Sequence, residues 1–162
     1  MTFQISSKSF IDGGLLNSNQ ISLEYNGKNS SPELSWINAP EGTKSFAISC
    51  YDPDAPTGSG FWHWYLVNIP KEVTSLVEDA GNISSNNIPE GSRQMLNDRF
   101  EKSYTGCMPP KGHGAHKYIF TVYALDVEHL EFPEILSTAY VGFNVKAHAL
   151  AEASITGVYE MK

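Results

Sequence analysis

Two clusters rich in proline and glycine hold most of the side chains in this sequence that could do chemistry. The first is Asp52-Pro53-Asp54-Ala55-Pro56, followed by Gly60-Phe61-Trp62-His63-Trp64. The second runs Gly106-Cys107-Met108-Pro109-Pro110-Lys111-Gly112-His113-Gly114-Ala115-His116-Lys117-Tyr118. Each abuts a run of strand-forming residues, and rigid loops at strand ends are where binding groups are commonly presented. Alternate side chains of a strand share a face, so His116 and Tyr118 should point one way and Lys117 the other; the same rule puts His63 and Tyr65 together. If the two strand ends are neighbours, Asp52, His63, His116 and Tyr118 converge on one small cavity. Imidazole N–H, phenol O–H and loop amides are donors suited to an oxyanion. Asp52 would then orient and charge a histidine, or accept a proton shared with a monoprotonated phosphate. The prolines limit loop freedom and so lower the ordering cost of binding.

Taken singly, each residue has an ordinary structural reading. Asp52 could cap a turn, as Asp before Pro often does. His63 between two tryptophans fits a satisfied core histidine, and Tyr118 fits core packing. His113 and His116 have the spacing of a metal pair but lack a clear third ligand on a glycine-flanked loop. Cys107 fits a structural thiol better than a nucleophile. Asn97-Asp98-Arg99-Phe100 reads as a turn with an exposed arginine. The combination carries the site, and no metal or cofactor is expected in it.

These clusters need strands to hold them. Ser45–Tyr51 and Trp62–Ile69 are strand candidates bounded by prolines, and Lys117–Leu125 is the strongest, β-branched and aromatic throughout. Runs apolar on both faces imply strands covered on both sides. Residues 13–45 read as short strands, such as Ile21-Ser22-Leu23 and Leu34-Ser35-Trp36, joined by long turns. Residues 71–110 are polar and loop-rich. One helix is expected over 137–151, after the Pro133 breaker, with strand character returning over 154–159. The 162 residues show no repeat or linker, so residues 1–162 form one β-rich domain.

The formal charge of −7, from 18 acidic and 11 basic residues, argues against nucleic acid, which needs a basic stripe, and against a broad anionic membrane surface. It leaves room for one local anion site. No apolar run approaches the roughly 18 residues of a membrane span. The N-terminus lacks a signal-peptide pattern, and two cysteines are too few for a disulfide framework. A cytoplasmic location is expected, or a periplasmic one if a leader has been removed.

The clusters resemble the signature blocks of the phosphatidylethanolamine-binding protein family, which includes the Raf kinase inhibitor proteins. Asp52–Pro56 looks like its DPDAP block, His63–Pro70 like its HWxxxNIP strand, and Gly106–Phe120 like its GxxPPxGxHRYxF block. Asn29–Trp36, Tyr51–Trp64 with its short intervening loop, and Gly142-Phe143-Asn144 through Leu150-Ala151 resemble the bacterial Raf-kinase-inhibitor-like branch. The likeness spans roughly residues 20 to 160, with its blocks in the family's order.

This resemblance implies a mainly β, α+β fold: a large central antiparallel Greek-key sheet, a smaller sheet on one face and a short helix on the other. It implies an anion pocket of Asp52, His63, His116 and Tyr118, completed by main-chain atoms of the Gly106–Pro110 loop. Pro56 and Pro109 would be walls and Met108 would sit at the mouth. Asp54 would pair structurally with Lys117, where the family usually carries arginine and its bidentate fork. Other departures are Asn97-Asp98-Arg99-Phe100 for the usual Asn-Asp-Phe-Gly turn, and Gly106-Cys107-Met108-Pro109-Pro110 for Gly-Pro-x-Pro-Pro. The longer C-terminal element of mammalian members is absent. The function implied is binding of a small phosphate- or carboxylate-bearing ligand, with an inhibitor or scaffold role toward a protein partner such as a kinase or protease. Two alternatives are a hydrolase using the Asp/His set and an interaction regulator with a vestigial pocket. The sequence offers no GxSxG, HExxH or P-loop for the former, so a non-enzyme is expected. The bacterial branch leaves room for a homodimer.

Overall fold

The computed structural model describes residues 1–162. Its centre is a five-stranded antiparallel sheet built from β3 (Ser45–Asp52), β4 (Phe61–Pro70), β6 (Arg93–Gln94), β7 (His116–Leu125) and β8 (Ala149–Tyr159), in the order β6-β4-β3-β7-β8. Three consecutive antiparallel strands, β3, β4 and β6, are followed by a fourth, β7, that returns beside the first; this is a Greek key. A three-stranded sheet of β1 (Gln4–Ser6), β2 (Leu34–Ile37) and β5 (Ser75–Leu76) covers one face. Helix α1 (Thr138–His148) covers the other. The expected β-rich, two-sheet, one-helix fold is the one observed.

Alternation along the strands builds two cores. Phe46, Ile48 and Cys50 of β3, with Tyr118, Phe120, Val122 and Ala124 of β7, face the small sheet and meet Leu34, Trp36 and Leu76. Ala47 of β3 and Tyr123 and Leu125 of β7 face α1, against Val141 and Val145. Both faces of the central strands are buried, as their continuous apolar runs require.

β4 breaks the alternation twice. Tyr51 pairs with Trp62 and Cys50 with Trp64, so His63 is an extra residue opposite no partner on β3. Phe46 pairs with Ile69 and Ile48 with Leu66, which marks a second irregularity. There Asn68 takes a left-handed φ of 60° and exchanges hydrogen bonds with Leu130, donating at 3.0 Å and accepting at 2.8 Å. Each bulge shifts the side-chain phase by one residue.

Two expected elements differ. The helix stops at His148 instead of 151, because Ala149, Ala151 and Ala153 pair with Leu125, Ala124 and Val122 of β7. Ladder hydrogen bonds across β7 override the helix preference of alanine. Ile21-Ser22-Leu23 forms no strand. Ile21 and Ser22 lie between two 3-10 turns, Ser18–Gln20 and Leu23–Tyr25, the second opened by Leu23, and the side chains of Asn17 and Ser22 cap the turn amides. A single parallel bridge joins Ile21 to Cys107. No helix is long and apolar enough to cross a membrane.

Candidate functional site

The ends of β3, β4 and β7 and the loop before β7 enclose a cavity of about 220 Å³. Asp52 ends β3, and two-residue steps from Cys50 point it toward the small-sheet side. His116 and Tyr118 open β7 on that same face. His63 reaches it because the bulge returns residue 63 to the side that regular pairing would have denied it. The expectation that His63 and Tyr65 share a face is therefore corrected: Tyr65 packs toward α1 beside Trp62, while His63 contacts Tyr118 edge to face at 5.2 Å.

All four polar side chains from the two clusters line the cavity, together with Pro56, Gly106 and Met108. Pro110 forms the second proline wall in place of Pro109. Pro109 is turned into the protein, where its carbonyl accepts a 2.9 Å hydrogen bond from the Tyr25 hydroxyl. Met108, 39% exposed, sits at the mouth. Gly106 allows the loop to thread tightly past residues 21 and 22: a Cβ there would stand 2.5 Å from the Ser22 nitrogen.

The hydrogen bonds are directional. His116 donates from Nδ1 to Asp52 Oδ2 at 2.6 Å, and both side chains are almost fully buried. Asp52 Oδ1 accepts the Asp54 amide at 2.8 Å. Both carboxylate oxygens are thus engaged, which is how an aspartate can stand beside an anion site. His116 Nε2 lies 2.7 Å from Nδ1 of the exposed His113. These two histidines spend ring nitrogens on each other, and no group of three or more His, Cys, Asp or Glu side chains is placed to hold a metal ion.

His63 is held differently. Its Nδ1 lies 2.8 Å from the Thr105 carbonyl, and its own carbonyl accepts the Thr105 amide at 2.9 Å. Since a carbonyl only accepts, Nδ1 carries the proton. Burial pushes the His63 pKa down to about 4, outweighing the Thr105 carbonyl and Asp52, which favour the charged ring. The neutral ring leaves Nε2 as an acceptor. Tyr118 is completely buried, and its hydroxyl has no nitrogen or oxygen partner, only the weakly hydrogen-bonding Cys107 thiol beside it. Burial also pushes its pKa upward, so it is a phenol and a donor.

Asp54 and Lys117 meet outside the cavity, with Lys117 Nζ 3.2 Å from Asp54 Oδ2. Asp54 Oδ2 also accepts the Lys117 amide at 2.9 Å, and this bond is the first cause holding the Asp54 pKa below the usual carboxylate range. The loop 52–56 is thereby stapled to the start of β7. Cys107 is buried, and burial raises its thiol pKa, so it presents no thiolate nucleophile.

Phe61, Arg99 and Thr105 also line the cavity and were not singled out as site residues. Phe61 stands two residues before His63 on the same face, a signal the alternation does contain. Arg99, read as an exposed turn residue, reaches the cavity while pairing with Glu24 at 3.2 Å. Its turn is built by Asn97, whose Oδ1 accepts the Arg99 amide at 2.8 Å. Thr105 carries no local signal, because it acts through its main chain.

The sequence pattern described as phosphatidylethanolamine-binding protein matches residues 6–160. The chain is 49% identical to the UPF0098 protein YbhB of Escherichia coli over 85% of both chains. It is 44% identical to YbcL of the same organism, over 99% of this chain and 88% of that one. The crystal structure of E. coli YbcL, described as a new member of the mammalian PEBP family, superposes with a TM-score of 0.96 at 44% identity and covers 100% of both chains. A pocket carried on this fold, matched nearly end to end in sequence and in structure, places the chain in the phosphatidylethanolamine-binding protein family, among its bacterial members.

Proposed function

We propose that the chain is a binding protein for a small phosphorylated ligand, whose phosphate head enters the cavity between His63 and His116. The observation that carries this reading is Tyr118, which lines the cavity and whose buried hydroxyl has no nitrogen or oxygen partner, only the Cys107 thiol beside it. A buried polar group without a partner costs about 1–3 kcal/mol, so it is retained where something completes it. The cavity volume of about 220 Å³ exceeds several times the share of one water in the liquid, ~30 Å³. That leaves space for a tetrahedral head and a short organic group between Phe61, Met108 and the prolines. Arg99, paired with Glu24 at 3.2 Å, lies at the edge.

Titration calorimetry with methyl phosphate tests the reading. Binding is expected in the wild type and lost in His116→Ala and in Asp52→Ala, with folding of each variant checked by circular dichroism. Unchanged affinity in both folded variants removes the assignment.

A further inference from the structure

We propose that the pocket reads a proton on its ligand: His63 Nε2 accepts a hydrogen bond from a P–OH, so the site takes a phosphomonoester in its monoanionic form and rejects ligands of the same shape that lack that proton. This rests on the phosphate-pocket reading above and adds a selectivity to it.

The argument is geometric. Thr105 clamps His63 from both sides of its peptide, accepting at 2.8 Å from the ring and donating at 2.9 Å to the His63 carbonyl. The ring can turn Nε2 into a donor only by becoming charged or by breaking the Thr105 bond. Burial opposes the first, and the second leaves a buried carbonyl unpaired. Of the other ionisable groups around the cavity, Asp52 can only accept, and each carboxylate oxygen keeps acceptor capacity beyond its one hydrogen bond. Both Asp52 oxygens are engaged by His116 and the Asp54 amide. His116 gives its Nδ1 proton to Asp52, and its Nε2 lies against Nδ1 of His113. Tyr118 and Arg99 are donors. The complement is therefore a pair of donors, Tyr118 and the Glu24-paired Arg99, facing fixed acceptors, His63 Nε2 and the remaining lone pairs of Asp52. A fully ionised oxyanion satisfies the donors but presents a lone pair to the lone pair of Nε2. A phosphomonoester monoanion satisfies both, donating its P–OH to Nε2 and accepting from Tyr118. A phosphodiester has the same single charge and no such proton.

Methyl phosphate, methyl sulfate and dimethyl phosphate separate these features, since the monoanions share charge and differ in the proton. Calorimetry on the wild-type chain at pH 6 is expected to show methyl phosphate binding on the order of 100-fold more tightly than either of the others, as a site rejects analogues that leave its buried polar group unpaired. With a second phosphate pKa of about 6, methyl phosphate affinity should fall about 50-fold between pH 6 and pH 8 as the monoanion disappears. The methyl sulfate signal over the same range reports the protein's own titrations. Nitrogen NMR of the free protein should show His63 as the Nδ1–H tautomer. Comparable binding of methyl phosphate and methyl sulfate, or a His63 that carries its proton on Nε2, overturns the proton-reading proposal and leaves the phosphate pocket standing. Absence of methyl phosphate binding at both pH values overturns the pocket reading and this proposal with it.

Discussion

Replacing Tyr118 with phenylalanine should move stability and affinity in opposite directions. The side chain is fully buried, its ring packs edge to face on His63, and its hydroxyl has no nitrogen or oxygen partner. Tyr118→Phe keeps the ring and deletes one oxygen. In the ligand-free protein that removes a desolvated donor and should stabilise the fold by about 1 kcal/mol, the low end of the range for an unsatisfied buried group. For a domain of this size the melting temperature should rise by about 2–4 °C. In the complex the same change deletes a hydrogen bond to a charged acceptor, worth about 1.5–3 kcal/mol, or about 10- to 150-fold in affinity. Urea unfolding and methyl phosphate calorimetry on the same preparation measure both. A variant that is less stable and binds as tightly as wild type would show the hydroxyl to be structural, and the reasoning for the pocket would fail.

Four further outcomes follow from the geometry. His63 has a folded pKa of about 4 against about 6.5 when unfolded, so the unfolded chain binds the extra proton between those values. Stability contributed by the neutral ring is complete above pH 6.5 and is lost as pH falls toward 4, by about 3 kcal/mol, and His63→Gln should flatten that part of the urea-midpoint profile. Asp52→Asn breaks a buried pair and should cost about 3–5 kcal/mol in urea unfolding; a cost below 1 kcal/mol would show that the pair is not desolvated. Phe100, 76% exposed, holds a left-handed φ of 62° where the resemblance places glycine. Phe100→Gly should therefore stabilise by about 1 kcal/mol, read as a higher urea midpoint at unchanged slope. Lys117→Ala should cost less than about 1 kcal/mol, because the exposed ion pair is weak, whereas Asp54→Ala should cost more by also orphaning the Lys117 amide; a double-mutant cycle separates the two.

Most of the architecture could be read from local pattern, since β3, β4 and β7 are strongly apolar runs with clear proline stops. The site's membership was legible for the same reason: Asp52, His116 and Tyr118 follow from two-residue steps along regular strands. His63 lines the cavity, but the alternation rule does not put it there, because a bulge set by pairing with β3 leaves no mark in the strand's own residues. The end of α1 escaped local reading because it depends on β7, which supplies ladder partners from Ala149 onward. Pro109 and Pro110 were exchanged because adjacent prolines are chemically equivalent in sequence, and only the Tyr25 hydroxyl decides which one turns inward. Thr105 works through its peptide, to which residue type is silent.

The bulge at residue 63 also says something about what this fold can do without. Regular pairing resumes on either side of it, so excising that one position altogether would leave Trp62, Trp64 and Tyr65 each on the face it now occupies. The barrier to losing the histidine is thus set by the clamp to Thr105 and by whatever the cavity holds, not by the counting of the sheet. A one-codon deletion should yield a folded, empty-handed protein, whereas excising Tyr65 would force Trp64, now on the small-sheet face, over to the α1 side.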